Sequence, residues 1–366
     1  MALILLWSDL HAHAFQQYAT LTSDGVNSRL ADAVSVINQV HKIAEEHDVD
    51  LVLFGGDMFH IRKVLYTQIF NMVFEAMAKF AVSKIPTVLI HGNHDQSDRA
   101  GTQHSLFTFN TFLYVISEPG WHLVEGRHGS RYNILGIPYT ENVTQLQYHV
   151  LRRPKNPGTR IQLSHLGVQG AIVGADFVYA NPHDPRVADL AVDNFHACFL
   201  GHYHQHQMLA GNAWYIGAPM HHNWGDRFDS NPRGCLLYDT ETGKIKRVPL
   251  AAPRFVVCEG SLGSIVPEHE PNVCETDYIR WITDEVISDD ERQDIQKNIR
   301  CRSLEIIPKN KESIVTAPRL QVTPHMSTKD MVDAYVKSGL TDADGLDPQY
   351  LLQMGHELLE EAQEDE

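Results

Sequence analysis

Apolar positions in the first two-thirds of the chain alternate between two patterns. Leu3–Trp7 is a continuous apolar run closed by Ser8-Asp9-Leu10-His11, the pattern of a strand buried on both faces. From Ser28, the positions Leu30, Val34, Ile37, Val40 and Ala44 recur at helical spacing, and Glu45, Glu46 and Asp48 close the segment. Leu51–Phe54 is the next buried run, ending in Gly55-Gly56-Asp57-Met58-Phe59-His60. Residues 65–84 regain helical period through Ile69, Val73, Met77 and Phe80. Pro86 stops that helix and opens Thr87–Ile90, which ends in His91-Gly92-Asn93-His94-Asp95. This βαβαβ progression predicts an α/β fold with a largely parallel sheet and helices on its faces.

Further runs predict strands at 132–137, 160–163 (followed by Ser164-His165), 197–200 and 214–216, and residues 234–248 read as a hairpin around Asp239-Thr-Glu-Thr-Gly243. Residues 167–194, with Pro182 and Pro185, read as a loop-rich excursion at the sheet edge. After Pro253 the character changes. Strand-like segments at 254–258, Tyr278–Thr283 and 303–307 enclose a helix from Asp289 to about Arg300, a small α+β unit. Residues 309–326, with Pro318 and Pro324, read as a linker. Two amphipathic helices follow within 327–366, the second capped by Asp347-Pro348 and carrying Leu351, Met354 and Leu358 on one face, before an acidic tail. The predicted organisation is therefore a domain at 1–253, a cap at 254–308, the linker, and a helical C-terminal segment.

Composition narrows the class. The 366 residues are 43% hydrophobic and 21% charged, which fits a globular protein and excludes a disordered one. The apolar start runs into Ser8-Asp9 and lacks a basic leader, so a first strand is expected there rather than a signal peptide. No apolar stretch reaches membrane-spanning length, so no membrane association is expected. The scattered Cys198, Cys235, Cys258, Cys274 and Cys301 suit a reducing compartment, and a cytoplasmic location is expected. A formal charge of −16 repels nucleic acid, so a polyanionic substrate would need positive charge supplied locally.

Candidate chemistry clusters just after the apolar runs. His202 and His204 follow the run 197–200 at alternate positions, so their imidazoles leave the strand end in one direction. Asp9 and His11, Asp57, Asn93 and His94, and His165 occupy the same place after four other strands, the side where open α/β sheets build their sites. The set is all nitrogen and oxygen and suits Mn²⁺, Fe²⁺ or Zn²⁺ at higher coordination number. It is too large for one ion, and Asp57, flanked by both groups, can bridge two metals about 3.5–4 Å apart.

Asp9-Leu-His11, Gly56-Asp57, Gly92-Asn-His-Asp95, Ser164-His165 and Gly201-His-Tyr-His204 resemble, in order and spacing, the calcineurin-like metallophosphoesterase superfamily, a sandwich of β-sheets flanked by helices. Within it, Gly55-Gly-Asp-Met-Phe-His60 looks like the SbcD-type double-strand-break repair nucleases, including phage recombination endonuclease small subunits. Protein phosphatases of the superfamily carry Asp-Arg-Gly after the bridging Asp; Phe59-His60-Ile61 stands there instead. The resemblance implies one metal on Asp9, His11, Asp57 and His204, and a second on Asp57, Asn93, His165 and His202. It implies manganese dependence and in-line hydrolysis of DNA phosphodiesters, 3′–5′ on duplex ends and endonucleolytic on single strands and hairpins. His94 is then the general acid, Asp95 the group that fixes its tautomer and protonation, and His60 a residue that helps process DNA ends.

Two ions add positive charge at the scissile phosphate but not along a duplex. The resemblance implies a partner for that, an SbcC-type coiled-coil ATPase, docked through the C-terminal helices; Leu351, Met354 and Leu358 equally suit packing on the same chain. It also implies a homodimer, with the helix at 65–84 as a candidate face, in a bacterial cell or the host cytoplasm of a phage. His206, His221 and His222 are expected in a solvated loop, and Arg152, Arg153, Lys155 and Arg160 form either a phosphate contact or an exposed turn. The rival readings are a metallophosphoesterase of small substrates such as cyclic nucleotides, and a non-catalytic scaffold at DNA ends.

Overall fold

Successive residues of Leu3–Trp7 face different cores: Leu5 and Trp7 enter one, Ile4 and Leu6 another, so Ile4 to Trp7 are all buried. The computed structural model describes residues 2–98, 101–173, 177–178, 181–228, 232–260, 275–285, 287–309, 327–337 and 347–364. In chain order the strands are β1 (Leu3–Trp7), β2 (Leu51–Phe54), β3 (Thr87–Ile90), β4 (Tyr114–Ile116), β5 (Gly120–Glu125), β6 (Arg131–Ile137), β7 (Thr159–His165), β8 (Ile172–Val173) and β9 (Phe177–Val178). They continue as β10 (Ala197–Gly201), β11 (Gln207–Ala210), β12 (Ala213–Tyr215), β13 (Gly234–Asp239), β14 (Ile245–Pro249), β15 (Phe255–Glu259), β16 (Tyr278–Thr283) and β17 (Ser303–Pro308). The helices are α1 (Ser28–Glu46), α2 (Thr67–Val82), α3 (Val143–Val150), α4 (Asp289–Asn298), α5 (Thr328–Lys337) and α6 (Pro348–Glu364).

Two six-stranded sheets form, in the orders β14-β13-β1-β2-β3-β4 and β11-β12-β10-β7-β6-β5. β1 to β4 run parallel, as do β6, β7, β10 and β12. Antiparallel strands close the edges. The sheets meet over a core of Ile4, Leu6, Leu53 and Ile90 from one and Ile134, Leu163 and Phe199 from the other. Truncating Leu6 or Phe199 there would cost about 2–5 kcal/mol, because a seam between two sheets has little room to collapse. α1 and α2 cover the outer face of the first sheet, and α3 with nearby turns covers that of the second. The fold is α/β, the expected sandwich of sheets flanked by helices. The largely parallel sheet expected from the pattern is two sheets, and the pattern predicts nothing over β4, β5, α3 or β11. β5 is an edge strand with only Val124 buried, so it lacks a continuous apolar run.

Asn27 caps α1, its side chain accepting from the amides of Arg29 (3.0 Å) and Leu30 (3.2 Å). β15, β16, β17 and α4 enclose a small core of Ile279, Trp281, Ile295 and Ile306. Arg302 pairs with Asp32 of α1, and Tyr18 bonds Glu305, so these strands sit against the loop that leads into α1. Met1–Ile307 forms one compact unit and Pro308–Glu366 a second. In the second, α5 and α6 pack together, with Gly355 admitting Val332 and His356 bonded to Asp333 (2.6 Å); Met354 and Leu358 are exposed. Residues 310–326 of the expected linker, and Cys274, lie outside the described residues. No described helix is long and apolar enough to cross a membrane.

Candidate metal centre and active site

The carboxyl ends of β1, β2 and β3 carry Asp9, His11, Asp57, Asn93 and His94, and those of β7 and β10 carry His165, His202 and His204. The backbone turns sharply at these ends. Asp9, His11, Asp57 and His202 have φ of 57°, 50°, 58° and 105°, left-handed conformations that cost about 1–3 kcal/mol each in non-glycine residues. Hydrogen bonds between the strand ends hold them: Asp9 N to Gly56 O (2.9 Å), His11 N to Asp57 O (3.0 Å), and His202 N to the Asp9 carboxylate (3.0 and 3.2 Å). Position 92 must be glycine, since a Cβ there would collide with Asp57 Oδ1.

The side chains gather in two groups that share one carboxylate. His11 Nε2 lies 3.2 Å from His204 Nε2 and 3.6 Å from Asp57 Oδ2. On the other side, the same Asp57 oxygen lies 3.4 Å from His165 Nε2, and Asn93 Oδ1 lies 3.2 Å from His165 Nε2 and 3.0 Å from His202 Nδ1. Donor atoms of Asp9, His11 and His204 lie within 4.8 Å of one another, as do those of Asp9, Asp57 and His165. Asp9, Asp57 and His165 are buried.

Polar atoms behind the cluster aim these rings. His165 Nδ1 donates to Gly55 O (2.7 Å), and His204 Nδ1 meets Asp226 Oδ1 (3.2 Å), so each turns Nε2 toward the cluster. His222 Nε2 donates to Asp9 O (2.9 Å). Burial opposes charge on His165, yet Asp57 and Asp9 lift its pKa to about 9. Burial likewise opposes charge on His204, and Asp226 reverses it, leaving the pKa raised. Burial drives His202 and His222 down to about 3. The carboxylates therefore favour a positive charge at His165 and His204, while burial disfavours one at His202 and His222.

His94 stands beside this cluster. Its Nδ1 donates to His60 O (2.7 Å), and its ring stacks on that of His60 with centroids 5.3 Å apart and planes 13° apart. Its backbone N–H holds Asp57 Oδ1 (2.8 Å). The role expected for Asp95 needs correction: its carboxylate does not set the His94 tautomer, which the His60 carbonyl sets. Asp95 instead turns back to accept from the amides of Asp57 (2.8 Å), Met58 (3.0 Å), Phe59 (3.1 Å) and Gly92 (3.0 Å), tying two strand-end loops together. Burial and nearby Asp57 push its pKa up to about 7, against the pull of those donors.

His221 and His222 also differ from expectation: both are buried, because the loop after β12 folds over the donor cluster instead of into solvent. His206 bonds Tyr215 O (2.7 Å). Asp226 and Arg29 carry no strand-end signal, and sequence reasoning passes over both. Arg152 lies over the Tyr148 ring (3.7 Å), and Arg153 and Arg160 bond Asn194. An open cleft of about 450 Å³ leads to the cluster, bordered by His11, Asp57, His60, His94, His202 and Arg29, among others.

The residues fit a pair of divalent ions. Two imidazole nitrogens facing each other at 3.2 Å beside carboxylates form a set rich in lone pairs and short of a cation. The shared Asp57 oxygen is what a bridging ligand requires. Fold and cluster together define a phosphoester-hydrolysing class with a dimetal-type site. Residues 2–206 match the calcineurin-like phosphoesterases, and the chain belongs to that family. Among solved structures it is similar to a dimetal phosphatase from Danio rerio, at 10% identity and a TM-score of 0.33, over 64% of this chain and 91% of that one. It is also similar to GAP50, the anchor in the inner membrane complex of Plasmodium, at 12% identity and a TM-score of 0.36, over 68% and 89%. No curated protein matches the chain.

Proposed function

We propose that this chain is a DNA phosphodiesterase, the nuclease subunit of an SbcCD-like recombination and double-strand-break repair complex. It would act 3′–5′ on duplex ends and endonucleolytically on single strands and hairpins. The observation that carries this reading is His60, in the stretch where superfamily phosphatases have Asp-Arg-Gly, stacked at the cleft on His94. A phosphodiester leaves as a poorly stabilised alkoxide, so a positioned acid matters more to it than to an activated monoester.

Asp9, His11, Asp57 and His204 would hold one ion, and Asp57, Asn93, His165 and His202 the other, with Mn²⁺ suited to this oxygen and nitrogen set. When bound, two such ions activate water and neutralise charge on the phosphoryl oxygens. The His60 carbonyl accepts the Nδ1–H of His94, so the proton given to the departing 3′-oxygen would come from Nε2 of the doubly protonated ring, which is left neutral. Asp95 fixes the loop that presents His94, and Asp226 and the Gly55 carbonyl aim His204 and His165.

The proposed partner is an SbcC-type coiled-coil ATPase, docked on α5 and α6, with the complex cytoplasmic and the nuclease dimeric. The −16 charge supports a partner that supplies duplex contacts. With Mn²⁺, linear duplex DNA should be degraded in preference to cyclic nucleotides, with bis-p-nitrophenyl phosphate as the generic diester. Faster turnover of cyclic nucleotides than of DNA would replace the nuclease reading with the small-substrate one. Co-purification with a long coiled-coil ATPase would test the partner.

A further inference from the structure

We propose that Arg29, held in place by Phe15, binds a second phosphate of the substrate, adjacent to the one that is hydrolysed. This deepens the phosphodiesterase reading and rests on it. Arg29 is only 6% exposed yet borders the cleft that holds the metal-ligand candidates. Its guanidinium lies 4.4 Å from the Phe15 ring centroid, with Phe255 and Tyr278 at 5.6 and 5.8 Å. Its side-chain hydrogen bonds go to neutral carbonyls, His222 O (2.6 Å) and Gln17 O (3.5 Å).

No carboxylate pairs with Arg29 among the described residues. Asp32, one turn along α1, is already paired with Arg302. The location is also unfavourable for a cation, since Arg29 sits in the first turn of α1, where the helix dipole is positive and no acid is present. A buried guanidinium without a counter-ion is costly, and the cost is relieved when an anion enters. In an acidic chain, one cation kept unpaired at the wall of a phosphoester cleft calls for an anion from the substrate. A phosphate suits a guanidinium through charge-assisted, bidentate hydrogen bonds. The scissile phosphate belongs at the metal-ligand candidates, so Arg29 serves a neighbouring one. The substrate class is then a chain bearing consecutive phosphates, not a lone diester.

The test compares the dinucleotide dTpdT with its 5′-phosphorylated and 3′-phosphorylated forms, in Mn²⁺, using the full-length protein. One added phosphate should lower KM by about tenfold or more. Arg29→Gln should abolish that preference, and Arg29→Lys should keep part of it. Equal KM values for all three substrates in the wild type, or the full preference surviving in Arg29→Gln, would overturn the proposal. The wild-type comparison needs no variant, so a folding defect in Arg29→Gln leaves the test intact. If bis-p-nitrophenyl phosphate is hydrolysed but no dinucleotide is, the DNA reading fails and inhibition still reads the site. Thymidine 3′,5′-bisphosphate should then inhibit about tenfold more tightly than either monophosphate, through Arg29; equal inhibition would overturn the assignment.

Discussion

Asp226→Asn isolates what the groups behind the ligands contribute. Asp226 Oδ1 stands 3.2 Å from His204 Nδ1, while Oδ2 accepts from the amides of His222 (2.7 Å) and Asn223 (3.3 Å). Asparagine preserves the shape and keeps one acceptor, so the loop is retained while the charge behind His204 is lost. Hydrogen bonds to an ionised acceptor are roughly twice as strong as neutral ones. Losing such a partner typically weakens metal affinity by about 10–100-fold, equivalent to about 1.4–2.8 kcal/mol. The burial that opposes charge on His204 is then countered by the weaker pull of Asp9 without Asp226, so its pKa falls and its imidazole becomes a poorer donor. The assay is the Mn²⁺ dependence of diester hydrolysis, with calorimetric titration of the metal. The activity midpoint should move up by that factor, one binding event should weaken, and turnover should recover at saturating Mn²⁺. An unchanged midpoint with lost turnover would refute the aiming role.

Three other outcomes follow from the same geometry. His94→Ser should lower turnover by about 10²–10⁴ while both metal-binding events persist in the titration; wild-type rates would remove the acid assignment. Asp95→Ala leaves the amides of Asp57, Met58, Phe59 and Gly92 without their acceptor, and should cost roughly 3–5 kcal/mol, read as a lower Tm. His91 is buried, with Nε2 donating to Ser117 O (3.1 Å) and Nδ1 accepting from Gln96 Nε2 (3.2 Å), and burial followed by His104 lowers its pKa to about 4. The folded state thus binds fewer protons than the unfolded chain between pH 6.5 and 4, so this contribution is full above 6.5 and is lost as pH falls through that window. Denaturant unfolding at several pH values should show a shallower acid slope in His91→Phe than in the wild type.

The metal-ligand candidates were legible because each follows an uninterrupted apolar run, and a strand buried on both faces must end where polarity returns. Asp226 was not, since it lies 22 residues beyond His204 in a loop with no periodicity to mark its direction. His222 looked solvated for the same reason. Asp95 shows a different limit: adjacency to His94 suggests contact, but the turn sends neighbouring side chains opposite ways, and three amides on another loop with that of Gly92 outcompete one imidazole. The second sheet was half legible. Its central strands are apolar throughout, whereas β5 and β11 are edges whose partial burial leaves little pattern.

Asp9, Asp57 and Asn93 hang from one sheet, and His165, His202 and His204 from the other. Neither sheet alone holds a complete set. A chain emerging from the ribosome displays the carboxylates early, but the histidines of β10 arrive only after some two hundred residues, and Asp226 later still. The donor set is thereby withheld from any nascent chain in which the second sheet has not yet formed.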